Sequence, residues 1–149
     1  MGIFKKLSVA SYILTISALI AFIAMIIGIV SCSGEGFWED EMGAVITLTV
    51  FGIVFIAASI FLGVKFGDKF WLGALMFLIV LFFALATCYM IIGKMDVMGT
   101  VVFSDLEKGY KPAEDACYIG LASSIIYIIA SVFAAVGAFF NVVRNVDKK

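Results

Sequence analysis

Residues 7–32, LSVASYILTISALIAFIAMIIGIVSC, decide the fold. No charge interrupts them, and an uncharged apolar run of this length crosses a hydrocarbon layer of about 30 Å as a helix. Within the run, Ala10, Leu14, Ser17, Ala21, Ala24, Gly28 and Ser31 recur at alternating intervals of four and three residues, which places them on one stripe of a helix. Most of that stripe is small. In lipid, small residues at this period let two backbones approach closely, so the stretch predicts a tightly packed partner helix.

Three further apolar runs follow, at residues 43–64, 71–93 and 117–143, and none contains proline. A segment inside a bilayer must satisfy its backbone hydrogen bonds internally, so four uninterrupted helices are expected. Composition agrees. Hydrophobic residues make up 64% of the 149-residue chain and charged residues 14%, against roughly half and a quarter in a soluble domain. The mean hydropathy is +1.21. The expected fold is an all-α integral membrane protein, a single domain built as an antiparallel bundle of four transmembrane helices spanning residues 7–31, 43–64, 71–93 and 117–143.

The basic residues orient the bundle. With the N-terminus inside, inner segments hold Lys5, Lys6, Lys65, Lys69, Arg144, Lys148 and Lys149, and outer loops hold Lys94, Lys108 and Lys111. Seven against three predicts that both termini are cytoplasmic, in a cytoplasmic (plasma) membrane. The chain has no N-x-S/T sequon, in keeping with a bacterial inner membrane. Residues 32–42 then form a short acidic outer loop, and residues 65–70 a tight inner turn. Residues 94–116 form a longer second outer loop capping the bundle, with a strand-like run at 100–103.

The fourth run carries a seam that mirrors the first: Gly120, Ser123, Tyr127, Ala130, Ala134, Gly137 and Asn141. The expected pairing sets Ser17, Ala21, Ala24 and Gly28 against Gly120, Ala130, Ala134 and Gly137. Cys32 ends the first run and Cys117 begins the fourth at the same membrane face, so a Cys32–Cys117 disulfide is expected in an oxidising compartment. Cys88 reads as a small buried hydrophobe. Residues 29–32, Ile-Val-Ser-Cys, also resemble the lipobox of bacterial lipoproteins, but the apolar run is longer than a signal core.

Chemistry is constrained mainly by what is missing. There is no histidine, which excludes histidine-based triads, bases and metal sites. No charged residue lies well inside the four expected spans, whereas proton pumps and voltage sensors use such groups. With a net charge of -1 and no basic patch, nucleic acid is not an expected partner. No cofactor, metal or catalytic residue is implied. The claudin first-loop pattern, the tetraspanin Cys-Cys-Gly and the first-helix carboxylate of small multidrug exporters are all absent.

What remains is an acidic outer surface, Glu35, Glu39, Asp40, Glu41, Asp105 and Glu107, suited to docking a basic partner by charge complementarity. The expected function is a non-enzymatic membrane interaction protein, an accessory or structural subunit or a small immunity-type protein. Its partners are the bilayer and another membrane or surface protein, or a second copy. The alternative is an oligomeric channel or facilitator lined by Ser, Thr and Tyr.

Overall fold

The computed structural model describes residues 7–32, 41–67, 70–102 and 109–140. Its elements are four helices, α1 (Val9–Cys32), α2 (Met42–Phe66), α3 (Phe70–Val102) and α4 (Lys111–Ala138). Each is long and apolar enough to cross a membrane. Neighbours in space follow chain order around a ring: α1 packs on α2 and most extensively on α4, and α3 packs on α2 and α4. One end of the bundle, the termini end, holds Val9 and Ala138. The other, the cysteine end, holds Cys32 and Cys117.

The helix surface is apolar, as suits helices long and apolar enough to cross a membrane. Ile16, Leu19, Phe61, Phe77 and Val132 are all exposed, a pattern that in water would leave large uncovered hydrophobic patches. The interior is filled by Leu14, Phe83, Ile79, Met42, Met90 and Tyr127, each almost wholly buried. Between α2 and α3 the packing is aromatic. Phe55 and Phe82 stack with ring centroids 5.4 Å apart, and the missing side chain of Gly52 makes room for the Phe83 ring.

Helix ends follow local chemistry. α2 stops at Gly67, whose φ of 73° suits glycine, and whose N–H donates to Gly63 O at 2.9 Å. α4 starts with Pro112 in its first turn, where the missing N–H costs nothing. The carboxylate of Glu114 accepts the Gly109 N–H at 3.3 Å, tying the approach to the first turn.

The largest departure from the sequence reading is the second connection. The described parts of segment 94–116 are mainly helix, not capping loop. α3 runs on through Lys94 to Val102, α4 begins at Lys111 instead of Cys117, and residues 100–102 are helical, not strand-like. The reason is tertiary: Val101, Ala113 and Ala116 are buried, so α3 and α4 still have an apolar seam to share there, and packing overrides the β preference of Thr100, Val101 and Val102. At 33 residues and 1.5 Å per residue, α3 is about 50 Å long, well beyond a hydrocarbon core of about 30 Å. Boundaries elsewhere move by only a residue or two, except that α4 ends at Ala138, not at 143.

Candidate functional site

The α1 and α4 seams meet. Ala10, Leu14, Ser17, Ala21, Ala24, Gly28 and Ser31 on α1 are buried, as are Gly120, Ser123, Tyr127, Ala130, Ala134 and Gly137 on α4. Two hydrogen bonds pin the pair. Ser17 Oγ donates to Ala130 O at 2.7 Å, and Ser123 Oγ donates to Ala24 O at 2.7 Å. A β-carbon at Gly137 would meet the Leu14 side chain at 3.0 Å, so the glycine makes room for that leucine in the seam.

Across the middle of the bundle, α2 and α4 are joined by a diagonal contact. Thr49 Oγ1 lies 2.7 Å from Tyr127 Oη and donates to Val45 O, also at 2.7 Å. Since a hydroxyl has one proton, the Tyr127 hydroxyl is the donor between the two. Seven other hydroxyls of the helices turn to backbone. Thr15, Ser31, Thr47, Ser59, Thr87, Ser124 and Ser131 each donate to a carbonyl three or four residues earlier in their own helix. A groove of about 390 Å³ on the outer face of α3 and α4 is lined by Thr87, Cys88, Ser131 and Ala135 among others. Cys88 is exposed there, not buried as its position in the third run suggested.

At the cysteine end the second diagonal contact joins α3 to α1. Lys94, assigned to a loop by the sequence reading, is a buried residue of α3 with 1% of its surface exposed. Its Nζ lies 3.7 Å from Cys32 Sγ. Its aliphatic stem lies against Gly120 of α4 so closely that any side chain at that position would overlap it. Ser31 Oγ is also 3.7 Å from the Cys32 sulfur. One turn further in, the Met42 and Met90 methyl groups and Ser123 Oγ close around Gly28, at 3.1, 3.1 and 3.2 Å from where its β-carbon would stand. The expected span 71–93 holds no charge, but α3 runs past it and carries Lys94 into the interior, where the bundle encloses it. Burying an ammonium is costly unless it is well contacted, which makes this layer the most constrained polar site of the described structure.

Cys32 and Cys117 are buried in this layer, and they are not disulfide-bonded to each other. Of the acidic docking candidates, Glu35, Glu39, Asp40, Asp105 and Glu107 lie outside the described residues. Glu41 stands at the start of α2, where its carbonyl accepts the Val45 N–H at 3.1 Å and its side chain makes no cap bond. Glu114 and the exposed Asp115 add acidic groups to the first turns of α4. Among the described residues no group of three or more His, Cys, Asp or Glu is arranged to hold a metal ion.

Lys94 is the residue the sequence reading missed, and the pattern held a signal. Phe83, Ala86 and Met90 already step by three and four along the buried face, and Lys94 is the next position on that stripe. Comparison with known families, curated proteins and solved structures finds no match to this chain.

Proposed function

We propose that this chain is a non-enzymatic accessory or immunity-type protein of a cytoplasmic membrane, with both termini cytoplasmic, that docks another membrane or surface protein at its cysteine end. One observation carries the reading. Cys32 ends α1 level with Lys94, yet α3 continues for eight more residues and α4 starts six residues before Cys117. The two helices thus project as a hairpin beyond Cys32, α3 by about 12 Å and α4 by about 9 Å, at 1.5 Å per residue.

That hairpin offers a partner a rigid helical surface. Met95, Tyr110 and Tyr118 are exposed on and around it, and Glu114 and Asp115 make it acidic. Glu41 with Glu35, Glu39, Asp40, Asp105 and Glu107 extends the negative charge along the flanking sequence. Such a surface steers and registers a basic partner. With Lys94 enclosed in the bundle, only Lys108 and Lys111 remain as basic residues of the connections at this end, which strengthens the charge asymmetry behind the orientation.

The competing reading, a pore lined by Ser, Thr and Tyr, draws less support. Most of the serine and threonine hydroxyls it needs are engaged with helix carbonyls or with one another, and the bundle interior is filled by Leu14, Phe83 and Tyr127. Purification of the full chain in mild detergent tests the proposal. A stoichiometric partner that is retained by the wild type and lost on Glu114→Lys with Asp115→Lys is the expected result. Ion flux through liposomes containing the purified chain alone would favour the pore instead.

A further inference from the structure

The helix register at the cysteine end brings two thiols into one layer. Ala24 is level with Ser123 through its hydrogen bond, and Gly28 also meets Ser123. From Ser123, six residues back along α4 lead to Cys117; eight residues forward from Ala24, or four from Gly28, lead to Cys32. The two contacts bracket the match, one leaving Cys117 two residues short and the other two residues beyond, about 3 Å of rise each way. Cys32 and Cys117 therefore lie at about the same height on adjacent antiparallel helices. Both are on the seam, with 1% and 2% of their surfaces exposed.

Lys94 touches the first of them and passes close to the second. Its ammonium is 3.7 Å from the Cys32 sulfur, and its stem crosses Gly120, one turn of α4 below Cys117. A sulfur–sulfur bond at Cys32 competes with this contact to the lysine.

We propose that Cys32 and Cys117 form a reversible dithiol–disulfide couple gated by Lys94. The structure represents its reduced form, and oxidation displaces the lysine from the Cys32 sulfur. In the forward step the two S–H bonds break and one S–S bond forms. The two electrons and two protons pass to an external disulfide, which is reduced to two thiols; a two-electron diazene oxidant such as diamide accepts them in the same way, becoming a hydrazine. The bond fastens the end of α1 to α4 at the base of the projecting hairpin, so the redox state of the surroundings sets how firmly the hairpin is held. The inference stands independently of which partner the hairpin binds.

The test uses the full wild-type chain in detergent, one portion held in dithiothreitol and one treated with diamide. Each is divided for denaturing alkylation with N-ethylmaleimide and peptide mapping, and for native acylation of amines with a succinimidyl ester. Expected is a Cys32–Cys117 disulfide peptide within a monomeric chain after oxidation, with Cys88 still alkylated and acylation of Lys94 several-fold higher than in the reduced portion. Alkylation of both Cys32 and Cys117 after diamide, or their bonding only between chains, would overturn the couple. Equal acylation of Lys94 in an oxidised and a reduced chain would overturn the gating. Because the comparison is made on one unaltered protein, a folding defect does not enter it.

Discussion

Two contacts cross the interior diagonally, and they differ in kind. In the middle, Tyr127 and Thr49 join α4 to α2 through a short neutral hydrogen bond of 2.7 Å, and the threonine proton is in turn taken by a carbonyl. At the cysteine end, Lys94 and Cys32 join α3 to α1 through a cation and a soft, weak acceptor at 3.7 Å. The first is a closed arrangement in which each hydroxyl proton has an acceptor. The second places an ammonium beside a thiol with another thiol in the same layer, which leaves room for chemistry. The middle of the bundle is built to be sealed, and the cysteine end is built to respond.

The contrast predicts a ranking of substitutions, read by equilibrium unfolding of the detergent-solubilised chain. Gly120→Val should be the most damaging, by about 3 kcal/mol, because it drives a branched side chain into the Lys94 stem. Gly99→Val, where a β-carbon meets nothing within 4 Å, should stay within about 0.5 kcal/mol of wild type. If the two cost the same, the packing at Lys94 is not what holds this end.

Lys94→Ala comes next, at about 2 kcal/mol, since removing a buried stem leaves a cavity as well as losing its contacts. Adding Gly120→Ala should recover part of that loss, because the new methyl group fills space the stem vacated, giving a coupling of about 1 kcal/mol. Strict additivity of the two would separate Lys94 from Gly120.

In the middle of the bundle the effects are smaller. Tyr127→Phe and Thr49→Val should each cost on the order of 1 kcal/mol, with the double variant costing less than their sum, as for one shared bond between membrane helices. A Tyr127→Phe cost above that of Lys94→Ala would reverse the contrast drawn here. Smallest are Ser17→Ala and Ser123→Ala, about 0.6 kcal/mol each, the typical worth of an interhelical hydrogen bond in a membrane protein. They should also leave the Cys32–Cys117 chemistry unchanged, which mapping of the oxidised peptides checks.

Much of this was legible beforehand. The small-residue stripes of α1 and α4 could be read residue by residue, because a helix repeats every 3.6 residues and a seam keeps its period along the whole run. The end of α3 was misread for a definite reason. Lys94 marks the first charge after an apolar run, and in a sequence a lysine there signals water, whereas in the bundle it is enclosed by Gly120 and Cys32, residues 26 and 62 positions away. Cys88 was misplaced similarly, since within a run that is apolar on every side nothing local tells a lipid-facing position from an interior one.

By itself, then, the sequence determined four membrane-length helices and which stripes of the first and last are fit for close packing, because backbone hydrogen bonding and side-chain size act locally. Only the tertiary structure decided that α3 and α4 extend together as a hairpin and that a lysine is enclosed at its base. Those outcomes depend on which helix supplies the opposing surface. A charged stem is buried only where another backbone has left it room.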